Sequence, residues 1–255
     1  MLFRVDLCLV GTSNPENLGG VARLAENFGL SSLALVAPRA ALDDPRALVV
    51  GRVARERLAA ARVTADLDAA VEGCSYVVGF SARRGSERPM VGLRGLVAHL
   101  AERAPAGRVA LVFGPEESGL VNADVDRCDV VACIDTPGSL PSLNLTQAVA
   151  IALWELAGAA APSPSAPASQ AASQAASQSA SQSASHSSRG GATRAEIDAF
   201  VDHAVEALVA VDYFRGEDRE RQRVHLRRLV AAAALRSSEL RSLHGICAHL
   251  LGAKR

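Results

Sequence analysis

The 255-residue chain carries 27 basic and 27 acidic residues, so its formal net charge is zero, with 49% apolar and only 4% aromatic residues. That apolar share is enough to bury a sizeable core, and the neutral balance excludes binding to nucleic acid by bulk charge alone. With so few aromatics the core must rest on Leu, Val and Ala, which favours a helix-covered parallel sheet over a β-sandwich.

At the N-terminus, MLFRVDLCLVG lacks the charged start and long apolar core of a secretory signal, and Val5 to Val10 within it reads as a buried strand. GTSNPENLGGVAR, Gly11 to Arg23, follows as a turn rich in Gly, Asn and Pro, leading into a helix predicted from Gly20 to Phe28. Further strands are predicted at Leu33 to Val36, Tyr76 to Phe80, Val109 to Phe113 and Val130 to Ile134. Helices are predicted between and after them at Asp66 to Glu72, Leu93 to Arg103 and Leu145 to Leu156. Such alternation predicts an α/β fold whose parallel sheet is covered on both faces.

Residues 158–192 are dominated by Ala, Ser, Gln, Pro and Gly with almost no large apolar side chain, which predicts a flexible linker. Beyond it, Thr193 and Glu196 have capping-box spacing, and Ile197, Phe200, Val201, Ala204, Val205 and Leu208 recur on one helical face. Two more helices are predicted at Arg219 to Leu235 and Ser238 to Leu251. The expected division is therefore a domain over 1–157, the linker, and a small all-α extension over 193–255. No run of about 18 apolar residues interrupts this plan, so a soluble, cytoplasmic protein with no membrane contact is expected.

The halves differ slightly in charge: residues 1–157 hold 15 Arg against 18 acids, and residues 192–255 hold 11 basic against 9 acidic residues. Neither is a basic patch, so any contact with RNA must use locally placed arginines. The cysteines, Cys8, Cys74, Cys128, Cys133 and Cys247, form no CxxC pair and several lie in apolar runs, which points to small hydrophobes rather than metal ligands or disulfides.

Three segments carry polar residues where chemistry is expected. Gly11 to Arg23 sits at the carboxyl end of the first strand, where open α/β sheets bind ligands, but its glycine spacing matches neither a dinucleotide fingerprint nor a Walker loop. ALVFGPEESGL, Ala110 to Leu120, runs from a strand into Gly114, two carboxylates and Gly119, so that backbone can approach a ligand closely. Both carboxylates, Glu116 and Glu117, also read as solvated loop charges, and of the two Glu116 is the stronger functional candidate. In IDTPGSLPSLNLTQAVAIALWEL, Ile134 to Leu156, a turn ends at Ser142 or Asn144, either of which can cap the next helix.

Together with GCSYVVGFSAR, Gly73 to Arg83, these stretches resemble the SPOUT methyltransferases, and among them the TrmJ-type tRNA 2′-O-methyltransferases that modify ribose at position 32 of the anticodon loop. The helical tail, through FVDHAVEALVAVDYF and HLRRLVAAAALRSSELRSLHGI, resembles the extension of that group. The resemblance implies a SPOUT α/β knot, with a trefoil knot that holds S-adenosyl-L-methionine, and a homodimer with the active site at the subunit interface. It also implies a cofactor pocket formed by Phe80, Ser81, Ala82, Gly114, Ile134, Pro141, Ser142 and Leu143, and active-site positions at Arg23, Glu116, Ser142 and Asn144. No metal is required. The linker is longer and more repetitive than is usual in similar proteins, and the match is loose from Arg83 to Arg88.

A guanidinium is a poor proton acceptor, so Arg23 is expected to bind a phosphate and stabilise the nascent alkoxide while the proton leaves through Ser142, a water or a phosphate oxygen. Arg23, Arg83, Arg84, Arg227 and Arg228 are the expected RNA contacts, with Arg221 and Arg223 beside the last two. Competing readings are a SPOUT enzyme acting on ribosomal RNA or another tRNA position, a non-catalytic adenosylmethionine-binding RNA-binding protein, and a nucleotide-binding regulator using the Gly11 to Gly20 loop.

Overall fold

The computed structural model describes residues 4–30, 32–83, 90–104, 107–140, 142–158, 191–214 and 218–252. Its strands are β1 (Arg4–Val10), β2 (Ser32–Val36), β3 (Arg62–Thr64), β4 (Tyr76–Phe80), β5 (Met90–Gly92), β6 (Arg108–Phe113) and β7 (Val130–Cys133). They form one sheet in the order β3-β2-β1-β6-β4-β7-β5, and every pairing is parallel.

The central strands are buried along nearly their whole length, and successive side chains face two different cores with the period of two that a pleat imposes. Leu7, Leu9, Leu33, Leu35, Val78, Phe80, Leu111 and Phe113 face one core with α1 (Pro15–Asn27), α2 (Pro45–Val50), α3 (Arg55–Ala59), α5 (Leu93–Arg103) and α7 (Leu145–Gly158). Cys8, Ala34, Val36, Val77, Ala110, Val112 and Val131 face the other, under α4 (Leu67–Val71) and α6 (Asn122–Asp126). All five cysteines are free and buried, and burial pushes the Cys8 thiol up to about 12, as fits an inert core residue.

The predicted strands recur within a residue or two, while the sequence reading missed β3, β5, α2, α3 and α6. These are short; β3 is largely exposed and β5 half-buried over three residues each, so neither carries an apolar run long enough to reveal it. The first helix starts earlier than predicted: Asn14 caps it by accepting from the Glu16 amide, and Pro15 opens it with its φ already set. Gly19, which read as a turn residue, and Gly20, where the predicted helix began, both lie inside the helix. A Cβ on Gly19 would stand 2.2 Å from the Ala47 carbonyl oxygen and one on Gly20 2.9 Å from Thr146 Oγ1, so both glycines let α1 press against α2 and α7.

The tail folds as α8 (Arg194–Ala210), α9 (Arg219–Ala232) and α10 (Ser237–Gly252) around Ile197, Phe200, Val201, Ala204, Val230 and Leu240. The Thr193–Glu196 capping box forms as predicted. This bundle docks at the amino-terminal ends of β4 and β7. There Arg194, 1% exposed, donates to Asp129 Oδ1 at 2.8 Å and to the Arg127 carbonyl, while Asp129 Oδ2 accepts from the Val77 amide. Burial works against the Arg194 charge, but Asp129 and Asp198 outweigh it and raise its pKa above the ordinary value. The predicted linker falls, except at its ends, on residues 159–190, outside the described residues.

Candidate active site

Strands β4, β6 and β7 end side by side, and the loops that follow enclose a cleft of about 320 Å³. Phe80 and Phe113, adjacent across the β4–β6 ladder, stack in its floor with ring centroids 4.3 Å apart. Ala132, Ile134, Leu143, Leu145 and Ala148 complete an apolar wall. The Pro115–Gly119 turn folds back so tightly that a Cβ on Gly114 would lie 2.3 Å from the Leu120 amide nitrogen, and Gly119 needs φ +64°. Only glycine serves at both positions.

A polar network ties the three chemistry-bearing segments together at this rim. Glu116 accepts from the Ser13 and Asn14 amides at 3.2 and 3.3 Å, from the Ser13 hydroxyl at 3.2 Å, and from Asn17 Nδ2 at 2.8 Å. Asn17 Oδ1 in turn accepts from Asn144 Nδ2 and Thr146 Oγ1, both at 3.1 Å. Asn144 caps α7, its Oδ1 accepting from the Thr146 amide at 2.9 Å and the Gln147 amide at 3.4 Å. Burial pushes the Glu116 carboxyl up, but the hydrogen bonds from Asn17, its own backbone, Ser13 and Asn14 prevail and hold it below its usual range. Glu116 is thus ionised, occupied and weakly basic. It and Asn144 hold loops in register rather than offering a free base.

Phe80, Ser81, Ala82, Gly114, Ile134, Ser142 and Leu143 all line the cleft, and Pro141 lies outside the described residues. Ser142 is exposed there and its hydroxyl has no partner among the described residues. Arg23 is not in the cleft: it stands exposed on α1, without a side-chain partner among the described residues. Arg83 lines the cleft mouth and donates to the Ser118 carbonyl at 2.8 Å, while Arg84 lies outside the described residues.

Two expected RNA contacts are placed elsewhere. Arg227 is 1% exposed with Nε on Asp198 Oδ1 at 2.6 Å, so it packs α9 against α8 and is not offered to a polynucleotide. Arg228 pairs with Asp126 at 3.1 Å across the seam with the sheet domain, and Arg223 is taken by Asp202. Helical periodicity cannot show which acid from another element meets an arginine. Conversely, the reading passed over Asn17, which is 4% exposed and the hub of the network. The signal was available: a lone amide on the buried stripe that includes Leu18, Val21, Ala22 and Ala25.

Among the described residues no cluster of three or more His, Cys, Asp or Glu side chains is placed to hold a metal ion, and no helix is long and apolar enough to cross a membrane. Residues 4–154 match the model of the SpoU rRNA Methylase family. The chain is 33% identical over 250 residues to the tRNA (cytidine/uridine/adenosine-2′-O-)-methyltransferase TrmJ of Pseudomonas aeruginosa, covering 96% of this chain and 93% of the relative. It is 31% identical to the tRNA (cytidine/uridine-2′-O-)-methyltransferase TrmJ of Klebsiella pneumoniae, covering 98% of this chain and 97% of that one. Its structure is similar to the crystal structure of TrmJ from Z. mobilis, with a TM-score of 0.73 at 28% identity, covering 96% of this chain and 98% of the other.

Proposed function

The chain belongs to the SpoU rRNA methylase family, and from that premise we propose that it is an S-adenosyl-L-methionine-dependent tRNA 2′-O-methyltransferase acting on ribose at position 32 of the anticodon loop. The observation that carries this reading is the gathering of Glu116, Asn17, Asn144 and Ser142 at one cleft in a chain that matches tRNA methyltransferases along nearly its whole length, helical tail included. That tail favours tRNA over ribosomal RNA as substrate.

The cleft fits the methyl donor in size and chemistry. Stacked aromatic rings and an aliphatic wall suit an adenine, and the collapsed Gly114 turn brings backbone against whatever occupies the space. When bound, S-adenosylmethionine supplies an electrophilic methyl group. Ser142 Oγ would accept the hydrogen bond of the ribose hydroxyl and pass its proton to water. Glu116 is too weak a base for this, and its oxygens are occupied by Ser13, Asn14 and Asn17.

Arg23 supplies positive charge to the nascent alkoxide and the neighbouring phosphate. Its absence from the cleft of its own subunit goes with a homodimer. α1, which bears it, packs beside α7, and α7 presents Trp154 at 72% and Ile151 at 40% exposure. An indole that uncovered on a helix of the core domain suits a face that a second subunit covers. The catalytic domain over 1–157, the linker over 158–192, the extension over 193–255, the trefoil knot and a cytoplasmic site of action belong to the same proposal. RNA contacts fall to Arg23 and to exposed arginines such as Arg221, with Arg227 withdrawn.

The test is incubation with radiolabelled S-adenosylmethionine and unmodified tRNA transcripts, followed by mapping of the methylated nucleotide. Label on the ribose at position 32 is expected. No incorporation into any RNA would end the enzyme reading, and label at another position would end the site assignment.

A further inference from the structure

Among the described residues the charges in the cleft are few enough to account for one by one: Glu116, Glu117 and Arg83 line it, and every other described lining residue is neutral. Glu116 is occupied by Ser13, Asn14 and Asn17. Glu117 is exposed at the mouth, with no side-chain partner among the described residues. Arg83 spends one nitrogen on the Ser118 carbonyl, the residue next to Glu117, and its other guanidinium donors have no partner among the described residues. Although Glu117 and Arg83 carry opposite charges at the same mouth, they form no ion pair with each other.

We propose that Glu117 and Arg83 are the subsite for the amino-acid end of the methyl donor, Glu117 binding its α-ammonium and Arg83 its α-carboxylate. This rests on the adenosylmethionine reading above. Two opposite charges held apart at the lip of an apolar cleft are the complement of a zwitterion whose remainder is a flat, largely apolar base. The arrangement also discriminates between donor and product. Among the described residues that line the cleft, two carboxylates and one guanidinium give a net charge of −1. The donor, with sulfonium, ammonium and carboxylate, carries net +1, and the product, having lost the sulfonium charge, is neutral. Coulombic attraction therefore favours entry of the donor and departure of the product.

Calorimetric binding to the full-length protein separates this from other roles, using S-adenosylhomocysteine, which keeps the amino-acid end, and 5′-methylthioadenosine, which lacks it. The wild type is expected to bind the former about tenfold or more tightly than the latter. Glu117→Gln and Arg83→Gln should each weaken S-adenosylhomocysteine about five- to tenfold and leave 5′-methylthioadenosine within about twofold, with Arg83→Lys recovering part of the loss. Equal losses for both ligands mean the variants act by deforming the loop, and no loss for either means the charges are idle. Either result overturns the subsite. Failure of the wild type to bind both ligands would instead overturn the adenosylmethionine reading, and the subsite with it.

Discussion

Replacing Asn17 by alanine removes a side chain of α1 that joins the Glu116 turn to the start of α7. Its bond to the Glu116 carboxylate belongs to a class contributing about 1.5–3 kcal/mol, and the neutral bonds from Asn144 and Thr146 to one contributing about 0.5–1.5 kcal/mol each. Glu116, Asn144 and Thr146 are not fully buried, so water takes over part of what they lose, the low end of each range applies, and the sum is about 2–3 kcal/mol. In a chain of this size that lowers Tm by about 4–12 °C.

The effect also has a pH signature. Because the folded pKa of Glu116 lies below its ordinary 4.5, its stabilisation is fully present above that value and is lost as the pH falls through the lower folded value. Alanine removes the foremost of the hydrogen bonds that depress this pKa, so the gap between wild type and Asn17→Ala should be widest at neutral pH and narrow as the pH falls below 4.5 through the lower folded value. Urea unfolding at both pH values measures the gap directly. A difference under about 0.5 kcal/mol at neutral pH, or one that does not shrink on acidification, refutes the hub role of Asn17.

The Arg194–Asp129 pair, 1% and 3% exposed at the side chains, should lose about 3–5 kcal/mol in Asp129→Asn, and considerably less per change when Arg194→Met is added, a double-mutant cycle that denaturation can read. Gly114→Ala places a methyl against the Leu120 amide, so S-adenosylhomocysteine affinity should fall more than about tenfold by calorimetry; retention within twofold would show that the turn yields freely. Arg23→Lys keeps the charge and loses the planar fork, so the single-turnover rate should drop by about tenfold or more with donor binding unchanged; full rate would remove the positioning role. Arg221→Gln should reduce the magnitude of the salt slope of tRNA binding by about 0.7–0.9, and an unchanged slope would take that residue out of the interface.

Strong periodicity in the sequence determined most of the layered plan. Runs such as YVVGF and LVF can only be strands buried on both faces, and LRGLVAHLAER only a helix with one apolar stripe, because burying those side chains outweighs local alternatives. The motifs likewise pointed to the cleft, since glycine-rich turns at strand ends admit a ligand wherever the sheet places them. What stayed out of reach depended on distant partners. Gly19 reads as a turn and Gly20 as no more than a helix start until Ala47 and Thr146 show why the helix interior keeps them, and Asn17 is one amide among several until Glu116 and Asn144 close on it. Arg227 and Arg228 read as an RNA-facing stripe until Asp198 and Asp126 arrive from other elements to pair with them. Local sequence sets which side chains share a face, whereas the charge that neutralises an arginine, or the backbone that forbids a Cβ, comes from residues tens of positions away, and only the packed chain brings them together.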